Sequence, residues 1–148
     1  MSKRSFKVNL EDIAYNWKNS RDFDGALFNI IGFGEPHCFR CGWLVPEPLT
    51  WNESSKFLDR AHLVDHCKGG SSDVSNLVPL CYPCHKNMPE YDPGEESLAI
   101  KWVLNIDARQ RRPLLSMMTQ GLWDAGVLDD RYALVAAVKE YDKIRASL

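Results

Sequence analysis

In "NLEDIAYNWKNS", Leu10, Ile13, Ala14 and Trp17 recur at i, i+3, i+4 and i+7, with Asn9 placed to cap and Glu11 and Asp12 in the first turn. This spacing predicts an amphipathic helix of about three turns. An apolar, glycine-broken segment runs from Phe23 to Phe33. "WLVPEPLTW" is expected to be extended, because its prolines exclude a helix. "KFLDRAHLVDH" is the strongest strand candidate, with "KGGSSDVSN" as the loop behind it. "PGEESLAIKWVLNIDARQRR" starts acidic and then sets Leu98, Trp102, Val103 and Ile106 at helical spacing. "RPLLSMMTQGLWDAG" and "DRYALVAAVKEYDKIRASL" read as two more helices, delimited by Pro113 and Gly126, with Asp129 as a cap for the last. Trp43, Trp51, Trp102 and Trp123 are expected in the core. There is no internal repeat and no low-complexity tract.

A chain of 148 residues, 45% hydrophobic and 26% charged, suits one compact domain or a domain with an appendage. No stretch is long and apolar enough to cross a bilayer, and "MSKRSFKVNLEDI" has no apolar signal core, so a cytoplasmic, reducing setting is expected. Five cysteines in such a setting point to metal before disulfides. The net charge of −2 argues against a broad nonspecific nucleic-acid surface but leaves room for a local basic site. The densest basic cluster holds Arg109, Arg111 and Arg112, read either as a DNA backbone contact or as a helix C-terminus offsetting its dipole.

Four of the cysteines form two C-x-x-C pairs, Cys38 with Cys41 and Cys81 with Cys84, separated by 39 residues. Thiolates at this spacing suit tetrahedral zinc, which would tie two distant parts of the chain around a small core. The redox-active alternative needs a pair beside a βαβ pattern, and none is visible. Four thiolates leave no open position, so such a site stabilises and does not catalyse. His37 is then incidental, His66 reads as a structural or surface residue, and Cys67 reads as a small buried side chain.

Between the pairs, His62, Asn76 and His85 stand out. Phosphodiester cleavage needs a base for water and a cation for the phosphate and leaving oxygen. A neutral imidazole serves as the base, a second imidazole holds a divalent metal, and a carboxamide bridges the loop to the strand or touches the metal.

The gaps are 14 residues from His62 to Asn76 and 9 from Asn76 to His85. With "GG", "NLVPLC", "CYPCHKN" and the flanking C-x-x-C pairs, residues 36 to 90 resemble the zinc-knuckle branch of the HNH endonucleases. The resemblance implies an α+β fold: a ββα-metal HNH core stapled by a four-cysteine zinc site, with an N-terminal helix and a helical C-terminal extension. The implied parts are residues 1–35 as helix and lead-in, 36–92 as nuclease core and 93–148 as extension, with the boundary at "YDPGEE". It further implies His62 as general base, Asn76 as orderer of the base-bearing loop or helper at the metal, and His85 as ligand of a catalytic Mg2+ or Mn2+. Structural zinc is expected on Cys38, Cys41, Cys81 and Cys84, and the resemblance implies DNA as the partner, in a bacterial or phage setting.

Two positions depart from that pattern. Ala61 stands where many members carry a metal ligand, so Asp59 or Asp65 could contribute instead, although alternation puts Asp59 and His62 on opposite strand faces unless the strand bulges. Pro89 follows His85 closely and requires a short or kinked helix. Arg60, Lys68 and Lys86 flank the region as candidate phosphate contacts. The C-terminal helices would add DNA contacts, a protein partner surface or self-association. The rival readings are a zinc-stabilised nucleic-acid-binding module without cleavage and a zinc-bound protein-interaction adaptor.

Overall fold

The computed structural model describes residues 8–18, 35–105 and 113–147. The apolar segment 23–33, Ile106 and the cluster Arg109, Arg111 and Arg112 lie outside the described residues.

Helix α1 spans Leu10–Lys18 and buries Leu10, Ile13, Ala14 and Trp17, the four positions of the apolar repeat. Asn9 caps it, its side-chain oxygen accepting the Asp12 N–H at 2.8 Å. Trp17 extends from that face and donates its indole N–H to the Leu77 carbonyl at 2.7 Å. This bond fixes the helix against a hairpin of two strands, β1 (Leu58–His62) and β2 (Leu77–Cys81). The strands are antiparallel, with Leu58 opposite Cys81, Arg60 opposite Pro79 and His62 opposite Leu77. Pro79 has no N–H to give, and a two-stranded sheet tolerates it because each strand is an edge. Its carbonyl instead accepts the Phe39 N–H at 3.0 Å, which joins the first C-x-x-C turn to the sheet.

The strand is shorter than the "KFLDRAHLVDH" stretch. After His62 the chain leaves the sheet and enters a 3-10 turn, His66–Lys68, capped by the Asp65 carboxylate on the Cys67 N–H at 2.8 Å. Cys67 is therefore exposed and not buried as expected: a three-residue turn at the surface has no interior face.

Helix α2 (Tyr82–Lys86) starts directly after β2, is five residues long and carries Pro83 in its first turn, where no intrahelical N–H is lost. Helices α3 (Glu96–Val103), α4 (Pro113–Asp124) and α5 (Arg131–Ala146) complete the order. In α3 the buried positions are Ala99 and Val103, while Leu98 is 51% exposed. The face is rotated from the expected one because Trp102 stays half-buried under Arg40. The Arg40 guanidinium lies 3.9 Å from the indole centroid, and its Nε donates to the Trp102 carbonyl. The cap of α5 is Asp130 and not Asp129: its carboxylate accepts the N–H groups of Tyr132 and Ala133, each at 3.0 Å.

One apolar cluster joins Ile13, Trp17, Trp43, Phe57, Leu80, Val103, Leu115, Leu134 and Tyr141, so α1, the sheet and the C-terminal helices share a core. Trp43 and Trp51 are buried, whereas Trp102 and Trp123 are half-buried at its edge. Trp43 donates its indole N–H to Thr119 at 2.9 Å, so the one polar atom of a fully enclosed ring is satisfied from α4. Among the described residues, no helix is long and apolar enough to cross a membrane.

Candidate metal centre and imidazole cleft

The two C-x-x-C pairs meet. The sulfurs of Cys38, Cys41, Cys81 and Cys84 all lie within 4.8 Å of one another and are buried. Cys41 and Cys81 are 3.8 Å apart at sulfur. Tetrahedral zinc with Zn–S bonds of about 2.3 Å sets sulfurs about 3.8 Å apart, whereas a disulfide requires about 2.05 Å. The spacing thus fits a metal and not a bond.

The electrostatics agree. The Cys41 and Cys81 thiols are pushed well up, chiefly by their hydrogen bonds to Cys38. Cys38 itself is driven up by burial, yet hydrogen bonds from Cys41, Cys81 and Cys84 hold it well below the ordinary thiol range. A buried nest of this kind supports one thiolate at a time unless a cation compensates the others, and a zinc ion supplies that compensation.

Cys81 closes β2 and Cys84 lies inside α2, so the four-cysteine cluster clamps the strand-to-helix junction. His85 is the next residue, and it is not part of the cluster. Its Nδ1 lies 3.0 Å from Asp59 Oδ2. The other Asp59 oxygen accepts from Arg131 Nη1, and Arg131 Nη2 donates to the Ser55 carbonyl at 2.8 Å.

On another side, His85 joins His62, Asp65, His66, Met88 and Pro89 around a cleft of about 220 Å³. The hairpin and α2 place the two predicted imidazoles here: His62 ends β1, and His85 sits near the end of α2. His62 Nε2 is 3.2 Å from the Ser72 hydroxyl. The His62 pKa is lowered, first by burial and then by the neighbouring His66, with Asp65 acting in the opposite sense. A depressed imidazole is neutral at neutral pH and ready to accept a proton.

Asn76 does not line this cleft. It is buried behind the loop, where its Oδ1 accepts the Val64 N–H at 2.9 Å and its Nδ2 donates to the carbonyls of Val64 and Ser71. Both ends of the carboxamide are committed to backbone, on Val64 and Ser71. Ser72, which touches His62, is the residue after Ser71. The glycine pair serves the same turn. A Cβ on Gly70 would stand 1.9 Å from the Val64 carbonyl oxygen, and Gly69 adopts φ +93°.

His66 was not singled out by spacing, yet its ring centroid lies 5.4 Å from that of His62 and it lines the same cleft. The two are four positions apart, and the turn that follows β1 brings their rings together. Asp59 was expected on the far face from His62. It does line a separate cleft, of about 700 Å³, with Arg60, Tyr82, Arg131 and the other side of His85. Ala61 is fully buried. The flanking cations are engaged elsewhere: Lys68 pairs with Asp92 at 3.1 Å, Arg60 donates to the Val8 carbonyl at 2.9 Å, and the Lys86 ammonium lies 5.8 Å from the Tyr82 ring centroid. None of the three lines the His62 cleft.

Among the described residues only the four cysteines gather three or more His, Cys or carboxylate donor atoms within 4.8 Å. The imidazole cleft therefore has no ligand cage. With Nδ1 on the Asp59 carboxylate, the His85 ring would offer Nε2 to a cation. Mg2+ keeps several waters and takes one or two protein ligands beside substrate phosphate, so this sparse set fits an ion that arrives with its substrate.

Residues 38–88 match the family model of the HNH endonuclease. The match runs from the first cysteine to just past His85 and contains His62, Asn76 and all four clustered cysteines. No curated protein and no solved structure matches the chain.

Proposed function

We propose, from the HNH endonuclease domain at residues 38–88, that the protein is a metal-dependent DNA endonuclease or nickase. The observation that supports it most is the sharing of one cleft by His62 and His85, which lie on different elements and 23 positions apart (85 − 62). In this reading the neutral His62 imidazole takes a proton from water as the oxygen attacks the scissile phosphorus. The P–O3′ bond breaks, leaving a 5′-phosphate and a 3′-hydroxyl. His85 would hold a divalent ion, Mg2+ or Mn2+, which supplies charge neutralisation at the phosphate and the departing oxygen. Asn76 keeps the loop between Val64 and Ser71 in place so that Ser72 can orient the base.

The test is nicking of supercoiled plasmid with added Mg2+ or Mn2+, compared with His62→Ala at matched zinc content. Cleavage by the wild type and its loss in the variant are expected. One observation favours a second reading, a nucleic-acid-binding module that does not cut: Ala61 is enclosed in the core and offers no ligand beside the base. Retention of DNA in a gel shift with no nicking under any divalent ion would select that reading.

A further inference from the structure

We infer that Arg131, in the C-terminal extension, is a positioning residue for the His85 imidazole and acts on it through Asp59. The inference rests on the reading of His85 as the imidazole that holds the divalent ion.

The Asp59 side chain is only 11% exposed, and its two oxygens are divided between two partners. Oδ2 faces His85 Nδ1 at 3.0 Å, and Oδ1 takes Arg131 Nη1. Arg131 is itself held at a second point, by the Ser55 carbonyl at 2.8 Å. A planar guanidinium fixed at two points sets the plane of the carboxylate it grips, and with it the oxygen left for the imidazole. The start of α5 is fixed as well, since the Asp130 cap defines the turn on which Arg131 sits. The guanidinium carbon lies 5.8 Å from the Tyr82 ring centroid, and Tyr82 is the first residue of the helix that carries His85.

The chemical consequence concerns the proton on the ring. An imidazole that binds a cation through Nε2 must carry its hydrogen on Nδ1, and a carboxylate facing Nδ1 holds that tautomer. Without Arg131 the Asp59 carboxylate is free to rotate toward solvent or toward Arg60, which lines the same cleft. The His85 tautomer would then lose its fixed acceptor. Arg131 and Asp59 are 72 residues apart, so the extension does more than cover the domain: it completes the surroundings of one site residue.

Arg131→Met and Arg131→Lys test this. Two-bond proton–nitrogen spectra of the zinc-loaded protein at about pH 8 read the His85 tautomer, with assignment by His85→Gln. The wild type is expected to show the hydrogen on Nδ1, Arg131→Met a mixture, and Arg131→Lys an intermediate state, because lysine keeps the charge but not the fork. In parallel, the Mn2+ concentration for half-maximal plasmid nicking is expected to rise roughly tenfold in Arg131→Met at unchanged zinc content. A merely structural ion pair would lower stability and leave the tautomer and the Mn2+ midpoint where they were, and that result overturns the inference. If Arg131→Met does not fold, Arg131→Lys decides: a wild-type tautomer and midpoint overturn it, an altered tautomer supports it. Should the wild type fail to nick at any Mn2+ concentration, the endonuclease reading falls and the tautomer alone still decides the role of Arg131.

Discussion

Asn76 pairs with Val64 as one peptide group pairs with another in a sheet. The carboxamide oxygen accepts the Val64 N–H at 2.9 Å, and the amide nitrogen returns a hydrogen bond to the Val64 carbonyl at 3.1 Å. A side chain thus continues the ladder after β1 has ended. Asn76→Ala removes both partners and leaves buried backbone groups unpaired, at about 1–3 kcal/mol each. A loss of roughly 2–4 kcal/mol in urea unfolding is expected, and Asn76→Asp should recover only part of it because a carboxylate cannot donate.

The glycines should differ in how much they matter. A methyl at Gly70 meets the Val64 carbonyl at 1.9 Å, and backbone on both sides has no rotamer with which to retreat. A methyl at Gly69 meets nothing within 4 Å and suffers only from φ +93°. Gly69→Ala is expected to cost about 1–2 kcal/mol, and Gly70→Ala roughly 3 kcal/mol or more, by chemical denaturation.

The pH profile of nicking should report His62. Burial and His66 lower its pKa, so the acid limb of activity is expected below the ordinary imidazole value of about 6.5. Activity should rise with pH through that limb as the ring loses its proton. His66→Ala removes one depressing neighbour, and the limb should move toward higher pH. The stability linkage has the same origin. Below the unfolded value the unfolded chain binds this proton more readily than the folded one, so the contribution is complete above that value and lost as pH falls through the folded value. An acid limb above the ordinary value would contradict the geometry of the cleft.

Zinc removal should unfold more than the knuckles. A strong chelator is expected to abolish near-ultraviolet dichroism, because Cys38, Phe39, Trp43 and Leu80 belong to the same cluster. Structural zinc is worth on the order of 10 kcal/mol in zinc-finger peptides, more than the net stability of many domains. Metal analysis should return one zinc per chain, with near-complete loss in Cys84→Ser. Retention of structure in Cys84→Ser would refute a structural role for the metal.

What the sequence revealed was what repeats or keeps a fixed spacing. Helix α1 was legible because Leu10, Ile13, Ala14 and Trp17 obey one period and face one core. The four cysteines were legible because a metal demands two short-range pairs. The placing of His62 and His85 on one cleft followed a spaced pattern that a short hairpin and helix turn into proximity. Pairings with no period were hidden. Asp59 and Arg131 meet because α5 folds back against α2 and brings Arg131 to β1, and nothing local in either segment signals it. Asp129 was read as the cap of α5, but the cap is the next residue, Asp130, whose extended backbone turns its carboxylate onto the first helical N–H groups. Cys67 and His66 depended on a three-residue turn whose outward face no periodicity describes.

The stitching between the segment after the first knuckle and α4 has a practical consequence. Trp43 donates to Thr119, Leu44 to Ser116 and Glu47 to Gln120, so polar side chains at i, i+3 and i+4 on one face of α4 receive one extended segment. A truncated fragment ending near "YDPGEE" would strip the Trp43 indole of its cover and its Thr119 acceptor at once, and would leave Phe57 facing solvent where Trp123 had been. Shortening the gene to a minimal catalytic unit should therefore yield insoluble material, and any search for the smallest working piece has to keep the helices.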